Sequence, residues 1–214
     1  MMTLYGFFNS STSYRVRIAL ALKGIPYHYE GVNIRIGEQS SEKHQKLNPS
    51  KGVPVLVDED GFTLNQSMAV LQYLEDRFPQ TPLLPEDTHL KAQILAFCYG
   101  IACDVHPINN LRVLKYLSEK LGIGEQEKKS WYAHWVDEGL SAAEKVLTAR
   151  PETDYCFGDV PTWADVCLIP QIANAERFGC DLNKYTRLMK IYRYCIGQPA
   201  FIEAQPDKQP DFVK

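Results

Sequence analysis

Four hydroxyl residues in a row, Ser10, Ser11, Thr12 and Ser13, stand immediately ahead of a helical run in NSSTSYRVRIAL, residues 9–20. The first turn of a helix leaves its N–H groups unpaired and carries the positive end of the helix dipole, so hydroxyls there suit a cap or an anion. One reading makes Ser13 the cap. The other turns Ser10, Ser11 and Thr12 toward a bound anion, and the two are compatible. Two further features share this character. Val53-Pro54 opens a strand after a loop, where a proline suggests a cis peptide bond that orients the backbone groups of Val53 outward. Gln66-Ser67 begins another helix and adds a second set of unpaired N–H groups beside an amide and a hydroxyl. Singly, each is explained by a cap or a turn. Together, two helix N-termini and a strand edge suit a small peptide that carries carboxylates.

Other chemistries find no support. The chain has no G-x-G-x-x-G, no phosphate-binding Gly-rich run followed by Lys, no G-x-S-x-G and no H-E-x-x-H. Its five histidines are scattered, so no metal site is expected. A formal net charge of −3 offers no electrostatic case for nucleic acid or an anionic membrane as partner. Six cysteines, at positions 98, 103, 156, 167, 180 and 195, form no C-x-x-C pair and read as small buried hydrophobes in a reducing compartment. The N-terminus shows no basic segment leading into a long apolar one, and uncharged stretches such as AQILAFCYGIAC are too short to span a bilayer. A cytoplasmic protein is expected.

The elements that must position these groups alternate in type. TLYGFF (3–8) reads as a strand, the run from Ser13 as a helix with Gly24 at C′, and PYHYEGV (26–32) as a second strand. SSEKHQKLNP (40–49) reads as a short irregular helix, VPVLVDEDGFTLNQS (53–67) as a hairpin turning at Asp60-Gly61, and SMAVLQYLEDRF (67–78) as a helix. This β-α-β-α-β-β-α order implies a parallel pair joined by a crossover, with an antiparallel hairpin at the edge. PQTPLLPED (79–87) has three prolines in nine residues, the composition of a linker. Beyond it, helical periodicity dominates, with a break near His106-Pro107. The expectation is an α/β domain over 1–82 and an all-helical domain over 87–214. Thr162-x-x-Asp165 is a capping box, and Trp131 and Trp135, four apart, are expected in the core.

The order of elements and several separated motifs resemble the zeta class of glutathione transferases. The motifs are SSTSYRVRIALALKG, LNPSKGVPVL, QSMAVLQYLE, LLPED, DVHPINNLRVLKYL, GDVPTWADVCLIPQIANAERFGCDL and the closing QPD. The resemblance implies a thioredoxin-like first domain that binds glutathione, a helical second domain, and a homodimer. Gln66 and Ser67 would hold the γ-glutamyl end, and Val53, followed by Pro54, the cysteinyl unit. Gln45 would contact the tripeptide, and Ser10, Ser11 and Thr12 the sulfur, with Ser13, Tyr14 and Arg15 continuing that motif. In the second domain, His106 and Asn110 fall at ligand-contact positions, and Arg177, Arg112 and Leu111 would bind the substrate, with Arg177 at the family's substrate-arginine position. Three positions depart from the usual motif: Asn9 stands for Arg, Thr12 for Cys and Tyr14 for Trp.

The implied activity is a glutathione-dependent cis–trans isomerisation of a small dicarboxylate, maleylacetoacetate to fumarylacetoacetate, in aromatic catabolism. Maleylpyruvate is the alternative substrate, and a glutathione transferase or dehalogenase acting on small electrophiles the alternative reaction. The energetics are in range. Lowering a thiol pKa by two units from about 8.5 takes about 2.7 kcal/mol. A helix N-terminus supplies up to about 2 kcal/mol and a hydroxyl donor to an anion about 1.5–3 kcal/mol.

Overall fold

The computed structural model describes residues 1–213. The first elements are β1 (Met2–Gly6), α1 (Ser11–Leu22), β2 (Tyr27–Gly31), α2 (Glu42–Leu47), β3 (Val55–Val57), β4 (Thr63–Asn65) and α3 (Ser67–Arg77). The sheet order is β2-β1-β3-β4. β1 runs parallel to β2, with Leu4 opposite Tyr29, and antiparallel to β3, with Leu4 opposite Leu56. Leu4 is therefore central, and it is fully buried with Val16, Ile18, Leu20, Val55, Leu74 and Val70.

Local chemistry ends these elements where the sequence signals it. Gly24 takes φ +65, its N–H donates to Ala21 O and that of Ile25 to Leu20 O, the paired bonds of a Schellman cap. Gly61 closes the β3–β4 hairpin at φ +86, a left-handed conformation that costs glycine nothing. The Val53–Pro54 bond is cis, as expected from the sequence.

The chain divides into two compact units, one comprising Met1–Leu83 with the segment from Gly197 onward, the other Leu84–Ile196. The sequence reading ran the helical domain to the C-terminus. Instead α9 (Pro199–Ala204) packs on α1. Arg17 is the latch: fully buried, it donates from Nε to Ala204 O at 3.0 Å and from Nη2 to Phe8 O at 2.9 Å. Asp211 accepts from the Phe8 N–H at 3.0 Å.

The second unit holds α4 (Thr88–Tyr99), a π-helical segment over Gly100–Val105, α5 (Leu111–Glu119), α6 (Glu125–Thr148), α7 (Trp163–Arg177) and α8 (Thr186–Ile196). The expected break lies at His106–Asn110, between the π segment and α5. α7 is the central element, with Trp163, Val166, Leu168 and Ile169 buried. Its capping box is complete: the Asp165 carboxylate accepts from the Thr162 N–H at 2.8 Å and from the Cys156 N–H at 2.8 Å, and the Thr162 hydroxyl accepts from the Ala164 N–H. Among the described residues, no helix is long and apolar enough to cross a membrane, and no cluster of His, Cys, Asp or Glu forms a metal site.

Candidate functional site

The hydroxyls at the start of α1 divide their work differently from the sequence expectation. Ser10, not Ser13, is the N-cap, with extended backbone and its oxygen accepting from the Ser13 N–H at 3.3 Å. Ser13 is fully buried in the first turn, where its oxygen accepts from the Phe7 N–H at 3.4 Å. A hydroxyl cap must precede the first helical residue, and the helix begins two residues earlier than periodicity suggested. Tyr14 and Arg15 are buried as well. Tyr14 underlies the Arg17 guanidinium, 5.2 Å from its ring centre.

Thr12 Oγ1 donates to Val53 O at 2.9 Å and lies 2.9 Å from Ser10 Oγ. A hydroxyl has one proton, so the Ser10 hydroxyl is the donor in the second bond. Among the described residues the Ser11 hydroxyl makes no hydrogen bond. Ser11 is the first residue of α1, where the helix still has unpaired N–H groups.

The loop that carries Val53 is held from three sides. Beyond the Thr12 bond, His44 Nε2 lies 2.8 Å from Gly52 O and Asn48 Nδ2 donates to the same oxygen at 2.9 Å. Only a protonated ring nitrogen can donate to a carbonyl, which places the His44 proton on Nε2. Asn48 Oδ1 in turn accepts from Ser50 and from Asn65 Nδ2 at 3.0 Å, tying the loop to β4. His44 and Asn48 were not singled out in the sequence, where Asn48-Pro49 reads only as a helix stop. Gln45 is half-buried, and its amide donates to Ser40 O.

At the start of α3, Gln66 has φ +68 and ψ 112, a conformation uncommon for a residue with a side chain and costing about 1–3 kcal/mol. Gln66 is exposed and Ser67 is buried. Arg15 Nη1 donates to Ser67 Oγ at 3.3 Å. The sequence reading grouped Arg15 with the sulfur-side motif; the helix turns it instead toward α3.

In the second unit, Asn110 caps α5, its oxygen accepting from the Arg112 N–H at 3.1 Å, with its amide nitrogen 3.5 Å from His106 Nε2. Leu111 and Arg112 are exposed. Arg177, at the end of α7, donates to Asn174 Oδ1, and its guanidinium carbon lies 4.9 Å from the centre of the Phe178 ring. Phe178 stacks on Tyr132, ring centres 4.0 Å apart, and Asn174 Nδ2 donates to Tyr132 Oη at 2.8 Å. Burial pushes the Tyr132 hydroxyl pKa up, so it remains a neutral support. Trp131 and Trp135 are half-buried, 5.8 Å apart, and the Trp131 indole donates to Ile108 O. Trp135 lines an apolar cavity of about 740 Å³ with Phe97, Ile101, Gly139, Ala142 and Phe157; the lining includes none of His106, Arg112 or Arg177.

Residues 9–77 match the family model for the glutathione S-transferase N-terminal domain. With the helical second unit, that is the architecture of a glutathione transferase. The chain is 43% identical over 212 residues to the probable maleylacetoacetate isomerase of Vibrio cholerae, covering 98% of each chain. It superposes on the holo structure of maleyl pyruvate isomerase, a bacterial glutathione S-transferase in zeta class, with a TM-score of 0.96 at 39% identity, covering 99% of this chain and all of that one. It also matches maleylacetoacetate isomerase from Methylobacterium extorquens AM1, solved with bound malonate and GSH, with a TM-score of 0.95 at 33% identity, covering 99% and 100%. The chain belongs to the zeta-class glutathione transferase family.

Proposed function

We propose that this protein is a glutathione-dependent cis–trans isomerase that converts maleylacetoacetate to fumarylacetoacetate, with maleylpyruvate as a second substrate of the same shape. The observation that carries the reading is the start of α1, where an unengaged Ser11 hydroxyl and first-turn N–H groups lie beside a loop tied through Thr12 to the carbonyl of Val53. The donor set suits a tripeptide thiol with carboxylates: hydroxyls and helix N–H groups at one end, and Ser67 backed by a buried guanidinium at the other. When bound, glutathione supplies a thiolate that adds reversibly to an activated double bond, allowing rotation before elimination.

The chain's own groups set the conditions. Ser11 and the α1 N-terminus favour the thiolate over the thiol, so no general base is required. Ser10 holds the cap and can lend its proton only by leaving Thr12. Thr12 keeps the Val53 backbone in place for the cysteinyl unit. Gln66 and Ser67 take the γ-glutamyl group, and Gln45 contacts the tripeptide. Arg177, held by Asn174 and Phe178, pairs with a substrate carboxylate. Asn9 stands where the family usually has Arg, so Arg177 bears more of the substrate's charge. His106, Asn110, Leu111 and Arg112 contribute the lesser ligand contacts. The domain boundary falls in the proline-rich 79–87 segment, the protein acts as a cytoplasmic homodimer, and size-exclusion chromatography with light scattering tests the assembly.

The reaction test is a spectrophotometric assay of both maleyl acids with and without catalytic glutathione. Turnover far exceeding the glutathione present is the expected result. Loss of glutathione one-for-one with product would replace the isomerase by a transferase or dehalogenase.

A further inference from the structure

The closing Gln209-Pro210-Asp211 motif stands at the far end of the chain from the hydroxyls of α1, yet it is built onto the turn that delivers them. Gln209 is buried, and its amide donates to Glu203 O at 3.0 Å and to Gln205 O at 2.9 Å, which clamps the motif to the end of α9. Beyond Pro210, a carboxylate oxygen of Asp211 accepts from the Phe8 N–H at 3.0 Å. The Phe212 ring meets the Phe8 ring edge-on, centres 5.4 Å apart. The approach leaves no space for a side chain at Gly31, where a Cβ would lie 2.8 Å from Asp211 Cβ.

What the motif holds is a turn. The Ser10 N–H donates to Phe7 O at 2.9 Å, so Phe7, Phe8, Asn9 and Ser10 form a reverse turn whose last residue is the N-cap of α1. Such a turn pairs its own first carbonyl with its last N–H, and the N–H of its second residue must find a partner elsewhere. Phe8 is 2% exposed, and Asp211 is that partner. The other backbone groups of Phe7 and Phe8 are held from α1: Ser13 Oγ accepts from the Phe7 N–H, and Arg17 donates to Phe7 O and Phe8 O. Among the described residues, Asp211 is the one hydrogen-bond partner that these groups take from outside the turn and its helix.

We propose that Asp211 is a positioning residue for the thiol site: through Phe8 it pins the turn that sets Ser10 and Ser11, and so holds the Ser11 hydroxyl and the first-turn N–H groups against the sulfur of glutathione. The inference rests on the glutathione reading above and adds a determinant from the C-terminal segment that does not itself touch the ligand. Its mechanical and electrostatic effects have opposite signs. A carboxylate close to a thiolate disfavours the anion, so loss of its charge alone would lower the bound-thiol pKa. Release of the turn takes donors away from the sulfur and raises it.

Ultraviolet titration of the thiolate in the full chain saturated with glutathione tests it, beside calorimetric binding of S-methylglutathione, which has no thiol. Asp211→Ala is expected to raise the bound-thiol pKa by about one unit, or about tenfold less thiolate at neutral pH, and to change the S-methylglutathione Kd by less than about twofold. Asp211→Asn, which keeps an acceptor oxygen without the charge, is expected to return at least half of the Ala shift. Asp211→Ser falls one bond short of the Phe8 N–H; it is expected to raise the pKa as Ala does, and it serves where the Ala variant does not fold. A purely structural Asp211 would lower stability and leave the pKa unchanged. A purely electrostatic one would lower the pKa in all three variants. Either result overturns the inference, and so does an Asn variant that rises as far as Ala. A wild type that binds no glutathione, or binds it with an ordinary thiol pKa, overturns the thiolate reading and this inference with it. A wild type with a lowered thiol pKa, and variants that keep it, overturn this inference alone.

Discussion

The Thr12 hydroxyl donates to the carbonyl oxygen of Val53 at 2.9 Å, joining the first turn of α1 to the residue before the cis Pro54. That one bond commits the only proton Thr12 has and so assigns it to the loop, not to the sulfur. Thr12→Val keeps the shape and removes the tether. The expected result is a rise of about fivefold in the glutathione Kd, equivalent to one hydrogen bond of about 1 kcal/mol, with the pKa of the bound thiol unchanged. A bound thiol whose pKa rose by a unit would make Thr12 a sulfur donor after all.

Ser10 and Ser11 should separate by readout. Ser11→Ala removes the unengaged hydroxyl and is expected to raise the bound-thiol pKa by about one to two units, seen as a shift of the thiolate ultraviolet absorbance to higher pH. Its folding stability should change by less than about 0.5 kcal/mol. Ser10→Ala removes the cap and should lower stability by about 0.5–2 kcal/mol in denaturant unfolding. Full activity in both variants would refute the assignment of thiolate stabilisation to these hydroxyls.

Arg17 holds α9 against α1 through Ala204 O, Phe7 O and Phe8 O. Arg17→Met takes the guanidinium donor from Ala204 O and Phe8 O in a buried setting, while Phe7 O keeps the Ser10 N–H at 2.9 Å. A loss of about 3 kcal/mol or more is expected, accompanied by faster hydrogen exchange in the segment after Gly197. Unchanged exchange there would show that the apolar packing of Phe201 suffices.

The cysteines should label in order of exposure. Cys103 is exposed, Cys180 half-buried, and Cys98, Cys156, Cys167 and Cys195 buried. Burial also pushes the Cys156, Cys180 and Cys195 thiols up, so less thiolate is present at neutral pH and alkylation slows. Mass spectrometry after brief native alkylation should find Cys103 modified first, Cys180 more slowly with a rate that climbs as pH rises, and the other four only after unfolding. Early modification of Cys156 would contradict its buried position beside Asp165.

Much was legible in the linear chain because local rules suffice for it. The β-α-β-α-β-β-α order, the Gly24 stop, the Asp60-Gly61 turn, the cis Val53–Pro54 bond and the Thr162–Asp165 box each depend on residues a few positions apart, where backbone sterics and capping chemistry dominate. Which hydroxyl does which task was not legible: Ser10 became the cap, Ser13 was buried, and Thr12 turned to Val53, 41 residues away. The same holds for Arg15 and Arg17, which read alike in a motif two residues apart. One meets Ser67 and the other the carbonyl of Ala204, because a helix turns residues two apart to different faces. The C-terminal segment is the clearest case. Its periodicity predicts helix, but helices bury an apolar face against whatever surface offers itself, and only the folded chain decided that the surface for α9 was α1.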